Sequence, residues 1–398
     1  MHRLILPFAL ASTLSVLASG ASSWRVTVAA ADHDRAAVVV SFPLPAGAPL
    51  EAALSLGDSR LPVQVGADGT AQFVLPQLKA GESPVLTLAA APAQPAAKAE
   101  ATATQVKLSA GGQPVLDFWT AEEPLPHDKV DRKFLRSGHI HPVRSPTGTI
   151  ISASYPADHL HHHGIWAPWT KTEFQGRKPD FWNMGQLTGT VKFDALERTW
   201  SGPVHAGFVA KQRQIDLSAP SPVTALNETW EVTVYDVPGS AQPMRVFDLV
   251  ITQSCATDAP LILPEYHYGG LGFRGHDQWN GQDNAFFLTS EGETDRVKGN
   301  TSRARWLHIG GRVDGALAGV GILGHPDNFR APEPLRLHPK EPFVCFAPSQ
   351  LGEWRIEPGK PHVMRYRFVV TDGPADRALL EACWQAFAQP AVATVTAG

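Results

Sequence analysis

The chain has 398 residues, of which 43% are hydrophobic and 18% charged, so it is long and apolar enough to bury a large core. Its formal net charge of −4 at pH 7 argues against a nucleic-acid partner, because such partners require a basic surface. The 34 glycines and 34 prolines indicate many turns between short strands. Three cysteines, Cys255, Cys345 and Cys383, allow at most one disulfide within the chain.

The beginning of the chain has the pattern of a signal peptide. Met1-His2-Arg3 places a positive charge ahead of an apolar run from Leu4 to Ala18, and small residues follow. We therefore expect residues 1–21 to be removed and the mature protein to be periplasmic or secreted. The apolar run is shorter than the roughly 20 residues that span a bilayer, and no later stretch comes close. No transmembrane segment is expected after cleavage.

The rest of the chain predicts an all-β protein. Short alternating runs predict a small β-sandwich domain over residues 22–90, and an Ala- and Pro-rich linker over 91–105. Longer strands without alternating helices predict a large antiparallel sandwich over 106–372. A C-terminal helix and tail are expected over 373–398, with the helix at 374–388 packed by Leu380, Trp384 and Phe387. The expected strands of the large sandwich include residues 149–154, 188–193, 204–215, 223–235, 244–254, 320–323 and 362–371.

Two glycine motifs match G-x-G-x-x-G, at Gly270, Gly272, Gly275 and at Gly319, Gly321, Gly324. A dinucleotide site needs this pattern between a strand and a helix, and neither match is followed by a helix. We interpret these glycines as bulges or close backbone approaches. The sequence signatures of serine hydrolases, zincins and P-loop proteins do not occur.

Six of the 16 histidines lie between positions 139 and 163, namely His139, His141, His159, His161, His162 and His163. On a strand, side chains two apart share a face, so each His-x-His pair would point in one direction. Such pairs can bind a divalent metal, and imidazole also transfers protons near neutral pH. We expect His161 or His162 to transfer protons, with Asp158 orienting a catalytic ring. His141 and His159 are expected to contact substrate.

A second cluster follows Pro264, where Glu265, Tyr268 and Arg274 lie along one predicted strand and turn. A carboxylate buried here could serve as a general acid or base, which makes Glu265 the expected counterpart of the histidines. Arg274 would then anchor the substrate and Tyr268 contact it. The alternative is that Glu265 and Arg274 only form an ion pair.

Three further polar residues, His325, Asp327 and Asn328, follow the predicted strand 320–323 and are candidates for substrate binding, although such residues also form turns. Trp166 and Trp182 could form a wall on which a sugar ring stacks, or they could be core. If these motifs serve chemistry, they should line one concave face with the histidine cluster.

The ordered motifs carry a family resemblance. They run from His141-Pro142 to Pro146-Thr147-Gly148, then through Asp158-His159-Leu160-His161-His162-His163-Gly164-Ile165-Trp166, Asp180-Phe181-Trp182, Tyr268-Gly269-Gly270 with Arg274, and Gly321 to Asn328. Over roughly residues 106 to 372 they resemble a bacterial family of unknown function that is catalogued under the label "methane oxygenase PmoA". Leu160 and His163 stand where that family more often has proline and arginine.

The resemblance implies a β-sandwich similar to the galactose-mutarotase-like supersandwich, which occurs among sugar epimerases, lyases and glycosidases. The methane oxygenase subunit of that name is an integral membrane protein, so the label does not indicate the activity of this chain.

Three functions are consistent with these residues. The first is an enzyme of epimerase, lyase or glycosidase type that acts on a small-molecule or glycan substrate by His/Glu acid–base chemistry. The second is a hydrolase or oxygenase in which the histidine cluster binds a divalent metal, the one cofactor that the pattern suggests. The third is a non-catalytic glycan-binding protein of the cell envelope.

Overall fold

The structure is a computed structural model that describes residues 23–398. The signal peptide expected over residues 1–21 lies outside the described residues. In chain order the strands are β1 (Trp24–Val28), β2 (Arg35–Pro43), β3 (Ala52–Leu56), β4 (Ser59–Val65), β5 (Thr70–Leu78), β6 (Val85–Ala90), β7 (Ala97–Ala101), β8 (Gln105–Ala110), β9 (Gln113–Trp119), β10 (Ile140–Val143), β11 (Ile165–Trp166), β12 (Gly189–Trp200), β13 (His205–Asp216), β14 (Val223–Tyr235), β15 (Met244–Cys255), β16 (Leu261–Leu263), β17 (Gly272–Arg274), β18 (Ala285–Thr289), β19 (Trp306–Val313), β20 (Ala316–Gly324), β21 (Leu335–Leu337), β22 (Phe343–Phe346), β23 (Trp354–Ile356), β24 (His362–Asp372) and β25 (Ala391–Ala397). The α-helices are α1 (Arg296–Gly299) and α2 (Arg377–Ala388), and short 3₁₀ turns occupy Arg132–Phe134, Met184–Gln186, Asp277–Trp279 and Pro348–Leu351.

The first six strands and the last strand form a closed barrel in the order β1-β25-β2-β5-β4-β3-β6. Strand β25 runs antiparallel to β1 and parallel to β2, and so completes the ring. Alternate residues such as Val26, Val40 and Phe73 fill the interior. The region expected to be a small sandwich is therefore a barrel, and part of the expected C-terminal tail is one of its strands. The physical reason is that Ala391, Ala393 and Val395 pack against the barrel core.

The large domain consists of two eight-stranded sheets, each with antiparallel pairing between neighbours. The first sheet has the order β21-β22-β17-β11-β10-β9-β8-β7 and the second has the order β12-β13-β14-β15-β24-β20-β19-β18. They face each other across a core in which Phe118 of the first sheet contacts Phe208 and Trp230 of the second, with ring centroids 4.7 and 6.0 Å apart. The prediction of an all-β protein with a large antiparallel sandwich is confirmed.

The expected linker over residues 91–105 contains strand β7, which extends the first sheet beyond β8. Ala97 is fully buried and exchanges two backbone hydrogen bonds with Gly202, at 3.0 and 3.1 Å. An Ala- and Pro-rich composition is typical of a linker, but small side chains also fit where a strand packs closely against its neighbours. The segment is thus partly an edge strand.

Asp376 caps the start of helix α2, and its carboxylate accepts a hydrogen bond from the Leu379 backbone N–H at 3.0 Å. Its apolar side packs on the second sheet through the buried Leu380 and Cys383, with Trp384 and Phe387 beside them.

All three cysteines of the described chain are unpaired. No helix within residues 23–398 is both long and apolar enough to cross a bilayer.

The first sheet positions the candidate site because its two faces differ. Ile140, Ile165, Phe273 and Val344 point into the sandwich core. Their neighbours along the strands point to the opposite face, where Trp166, Phe343 and Cys345 form a separate cluster under the loops that connect the strands. This outer face of the first sheet carries the polar residues described next.

Candidate functional site

Arg274 lies at the centre of the outer face, at the end of β17, and its side chain is completely buried. One guanidinium nitrogen donates to both oxygens of Asp158, at 2.9 and 3.0 Å, and to the Asn280 amide oxygen at 2.8 Å. The other lies 3.5 Å from Glu341 Oε2. One buried cation therefore holds two carboxyl groups that come from distant loops.

Both carboxyl groups open onto one cleft of about 520 Å³, which is lined by Ala157, Asp158, Asp277, Asn280, Gly281, Lys340 and Glu341. The Asp158 side chain is 32% exposed and that of Glu341 is 16% exposed, so a ligand can reach both. Burial raises the pKa of Glu341, and the neighbouring Asp158 carboxylate raises it further. Burial also opposes ionisation of Asp158, but Arg274 more than compensates and holds the pKa of Asp158 below its ordinary value.

His159, His161 and His162 lie on consecutive turns, and His163 pairs with Ser154 in an isolated β-bridge. The His159 backbone N–H donates to Pro156 and that of His162 donates to His159, both at 2.9 Å. As a result His159 stacks on His162, with ring centroids 4.7 Å apart, and His161 meets both rings edge-on. The expectation that His159, His161 and His163 share one direction is therefore wrong.

These imidazoles differ in what they contact. His159 Nδ1 lies 3.0 Å from Glu341 Oε2, and His162 Nδ1 lies 3.5 Å from the Arg274 guanidinium. Burial lowers the pKa of His161 to about 4 and holds that of His162 well below its ordinary value, so both rings are neutral at pH 7. His162 is buried, whereas His161 is half-buried and makes no side-chain hydrogen bond within residues 23–398. His161 is the ring of the two that a ligand can reach.

Trp166 and Trp182 do not offer an open aromatic wall. Each is at most 1% exposed, and both pack against His162 and Phe343. The two indoles pack on each other with centroids 4.8 Å apart. They support His162 from behind, and the expectation that they stack directly on a substrate is corrected.

Tyr268 is half-buried and packs against Trp182, with ring centroids 5.4 Å apart. Its hydroxyl accepts a hydrogen bond from Asn183 Nδ2 at 2.9 Å. Tyr268 also lines a second polar cleft, which is formed by residues 170–186 and 264–268. Its contact with Trp182 therefore connects that cleft to the histidine cluster.

Glu265 lies outside the cluster. The segment that carries it is an irregular loop before the positive-φ glycines Gly269 and Gly270, so the expected alternation along a strand does not occur. Its side chain is exposed and forms no ion pair within the described chain, while Arg274 pairs with Asp158 and Glu341. Neither the acid–base role of Glu265 nor its pairing with Arg274 is supported.

The third group of expected site residues lies elsewhere. His325 contacts Phe387 of α2, with ring centroids 5.1 Å apart, and Asp327 is exposed beside it. Asn328 is buried and donates to Glu333 at 2.9 Å and to the Arg365 carbonyl at 3.0 Å. These residues form a polar turn that follows β20 and contacts α2, and the structure does not bring them to the histidine cluster.

His141 lies on the outer face and its Nδ1 is 2.9 Å from the Ser152 hydroxyl. Near it, Glu123, His139 and His163 offer three donors close enough to share a metal ion. His139 Nε2 is 2.8 Å from Glu123, and Ser154 bridges Glu123 and His163. A metal-bound imidazole usually donates its second N–H, but His139 Nδ1 and His163 Nε2 have no partner within residues 23–398.

A second set of three donors, Asp158, His159 and Glu341, is also close enough to bind a metal. There the Arg274 guanidinium already bonds to Asp158 and lies beside Glu341. If a divalent metal is bound, the Glu123 set offers the appropriate ligands without a competing bond to a cation. Its ligands come from two different His-x-His pairs, so neither pair acts as a unit.

Glu341, Asn280 and Glu123 belong to these clusters but were not identified from the sequence. His338 and Glu341 are three positions apart, with His338 Nδ1 3.5 Å from Glu341 Oε2, and that spacing was the available signal.

Gly272 shows why the surrounding glycines matter, since an added Cβ would lie 2.8 Å from Trp182. Close backbone approach, and not nucleotide binding, accounts for this glycine.

The fold and the site thus define an all-β sandwich protein with a histidine and carboxylate cluster on the outer face of one sheet. The chain belongs to the family of unknown function DUF6807, whose model matches residues 105–385. That match says nothing about the methane oxygenase label. No curated protein matches the sequence.

The solved structures that are similar to this chain include two at 10% identity. One is a protein in the glycosyl hydrolase family 38 from Enterococcus faecalis, with a TM-score of 0.41 over 96% of this chain and 48% of that chain. The other is a galactose mutarotase related enzyme from Lactobacillus acidophilus, with a TM-score of 0.24 over 70% of this chain and 97% of that chain. This chain thus spans about half the length of the first protein. Neither likeness bears on activity.

Proposed function

We propose that this protein is a carbohydrate-active enzyme that works by proton transfer at the Asp158–Glu341 cleft. The observation that carries the proposal is that Arg274 holds these two carboxyl groups at one cleft while their pKa values move in opposite directions. Paired groups whose environments separate their pKa values are the usual arrangement for an acid and its ionised partner. Glu341 is the proton donor, and Asp158 remains a carboxylate.

His161 supplies the proton acceptor. Its low pKa keeps the ring unprotonated at neutral pH, and its half-exposed position leaves a ring nitrogen available to substrate. His159 contacts both groups, with its ring centroid 5.5 Å from that of His161 and its Nδ1 3.0 Å from the Glu341 carboxyl group, so it positions the acid. Asp158 is held by Arg274 and is oriented to accept a hydrogen bond from a substrate hydroxyl.

The lining of the cleft supports a polyhydroxylated substrate. Carboxylates, the Asn280 amide and the Lys340 ammonium group lie along its walls. Hydroxyl groups of a sugar both donate and accept hydrogen bonds, so they can pair with each of these polar groups. A reaction of epimerase, lyase or glycosidase type requires the same pair of groups, a proton donor and a proton acceptor.

The test compares Glu341→Gln, Asp158→Asn and His161→Ala with Glu265→Gln as the matched control, because Glu265 is an exposed glutamate outside the cluster. Each protein is incubated with a panel of sugars from mono- to tetrasaccharides, and products are followed by proton NMR. We expect the loss of the acid to lower turnover by about 100-fold or more, as is typical for general acid–base catalysis. The control should retain wild-type turnover.

Wild-type turnover by the Glu341→Gln protein, with a melting temperature like that of wild type, would overturn the assignment. Binding of sugars without any conversion would instead favour a non-catalytic glycan-binding protein. Elemental analysis of the purified protein distinguishes the metal-dependent alternative, since stoichiometric metal that is lost in His139→Ala would favour that mechanism.

A further inference from the structure

A second cleft lies beside the histidine cluster and is not used by the chemistry proposed above. It has a volume of about 360 Å³, within the range of small-molecule sites, and its walls come from residues 170–186 and 264–268. Its lining is polar apart from two prolines and two tyrosines: Thr170, Lys171, Thr172, Glu173, Lys178, Pro179, Asp180, Asn183, Gln186, Pro264, Tyr266 and Tyr268.

Asp180 organises this cleft and has no capacity left for a ligand. One carboxylate oxygen accepts from the Trp182 and Asn183 backbone N–H groups at 3.0 and 2.8 Å. The other accepts from Thr170 Oγ1 and Asn183 Nδ2 at 2.9 and 2.8 Å. Four hydrogen bonds therefore fix the loop around Asp180 before any ligand arrives.

Other polar groups of the cleft remain available. The side chains of Lys171, Gln186 and Tyr266 form no hydrogen bond with any residue of the described chain, and Lys171 and Gln186 are exposed. Lys171 Nζ lies 5.4 Å from the centroid of the Tyr266 ring. Lys171 also has a φ of +53°, a left-handed conformation that costs free energy in a non-glycine residue and is found preferentially at binding and active sites.

The two tyrosines give the cleft an aromatic surface. Tyr266 and Tyr268 are half-buried, with ring centroids 5.0 Å apart and planes inclined by 53°. An aromatic face beside unpartnered donors and acceptors matches a sugar ring, which has apolar C–H faces and a rim of hydroxyl groups. An apolar ligand would leave these polar groups unsatisfied.

A continuous set of contacts joins this cleft to the proposed catalytic one. Tyr268 packs on Trp182 with centroids 5.4 Å apart, and Trp182 meets His162 at 6.3 Å. His162 in turn lies 3.5 Å from Arg274, which holds Asp158. The two clefts are therefore linked through the histidine cluster that carries the half-exposed His161.

We infer that the Tyr266–Tyr268 cleft is a second sugar subsite, so that the substrate is an oligosaccharide or glycoconjugate and not a free monosaccharide. This inference rests on the proposed function for the reacting unit, which occupies the Asp158–Glu341 cleft. The neighbouring unit occupies the Tyr266–Tyr268 cleft and contributes binding energy to the reaction.

The test uses Tyr266→Ala in the full chain, with Phe286→Ala as the control, because Phe286 is a 54% exposed aromatic residue on β18 of the second sheet. Values of kcat/KM are measured for mono- to tetrasaccharides of the series that wild type converts best. We expect Tyr266→Ala to lower the ratio of the tetrasaccharide value to the monosaccharide value roughly three- to tenfold, the size of one lost aromatic contact. The ratio for Phe286→Ala should equal that of wild type.

An equal loss for short and long sugars would overturn the subsite and leave the proposed function intact. If wild type converts no sugar, saturation-transfer NMR with the same tetrasaccharides decides the question. Contacts that disappear in Tyr266→Ala but persist in Glu341→Gln would support the subsite although the proposed reaction had failed. Tetrasaccharide binding that is unchanged in Tyr266→Ala, or absent in wild type, would refute it.

Discussion

Glu333 is a fully buried carboxyl group that the proposed chemistry does not use. It lies at a cavity of about 230 Å³ between β20 and α2, together with Trp384 and His325. The Tyr366 hydroxyl is 2.9 Å from both of its oxygens, and Asn328 Nδ2 donates to one of them at 2.9 Å. Burial raises the pKa of Glu333 to about 7, against the opposing effect of these hydrogen bonds. This residue is thus costly to ionise in the folded protein.

The expected consequence is a pH-dependent free energy of unfolding. A carboxyl group whose folded pKa is raised contributes stability that is present in full below its ordinary pKa of 4.5 and is lost as the pH rises through about 7. The loss is on the order of 3 kcal/mol for a shift of this size. Glu333→Gln cannot ionise and should lose less stability between pH 5 and pH 8. Urea denaturation at these two pH values measures the difference.

Glu353→Gln provides the control, since Glu353 is exposed and has a 3.7 Å ion pair with Arg355. If Glu333→Gln and wild type lose the same stability between the two pH values, Glu333 is ionised at low pH in the folded state and the argument fails.

Part of the candidate site could be predicted from the types of single residues and their neighbours in the sequence. Asp158, Arg274 and the histidines stood out because polar and aromatic residues of these types are concentrated near them in the sequence. Glu341 did not, because its one neighbouring signal is His338 three positions earlier and it reaches Arg274 only through folding. Glu265 also has polar and aromatic neighbours in the sequence, but its side chain is exposed to solvent. Residue type thus indicated chemistry, whereas burial and partners were set by contacts distant in sequence.

At the level of elements, the strands in which buried and less buried residues alternate were predicted well. Strand β14 covers the expected residues 223–235, and β15 and β24 each extend the expected range by a single residue. Residues 149–154 form only isolated bridges, one of them between Ser154 and His163, and the histidines at 159–162 lie in turns. Alternating histidines cannot distinguish a strand from a turn, but the flanking Pro156 and the positive-φ Gly164 favour a turn.

The barrel makes a prediction at this level. Removing residues 390–398 deletes β25, which pairs with five residues of β1 and with Val40 and Ser41 of β2. Both strands would then have an open edge, and the barrel core would be exposed to water. We expect amide hydrogen exchange to increase across residues 24–90 and to remain low in β14 and β15.

Val392→Thr is the matched control within the same strand, because Val392 is 67% exposed and faces away from the barrel core. Protection of β1 and β2 in the truncated protein at the wild-type level would show that the barrel closes without β25.

At the scale of the whole molecule, Gln64 joins the barrel to the sandwich. Its amide oxygen accepts from the Val204 and His205 backbone N–H groups at 3.1 and 3.0 Å, and its nitrogen lies 3.4 Å from His205 Nδ1. A Cβ added at Gly202 would lie 2.2 Å from this amide, so the two units meet closely here. The contact fixes the barrel against the turn between β12 and β13.

Gln64→Ala should leave two backbone N–H groups without their partner and lower the free energy of unfolding by roughly 1–3 kcal/mol. The barrel and the sandwich should then melt less cooperatively, which differential scanning calorimetry detects as a broader transition. Gln77→Ala, on β5 of the same barrel but with no side-chain hydrogen bond within residues 23–398, is the comparison. A wild-type transition in Gln64→Ala would show that other contacts hold the units together.

The sandwich was predictable because its strands are long, are adjacent along the chain and carry a continuous buried pattern. The closed barrel was not, because its last strand is weakly apolar and joins partners from the other end of the chain. Pairing between strands so far apart in sequence depends on the packing of the whole molecule, so local composition does not predict it.

The position of β25 also affects biosynthesis. A ribosome adds roughly 5–20 residues per second, so the approximately 300 residues that separate β6 from β25 require on the order of 15–60 s. Throughout that interval the nascent N-terminal strands are complete, but β1 and β2 each have an unpaired edge. Such edges pair readily with another copy, so this segment is exposed to aggregation until β25 has been made and has joined it.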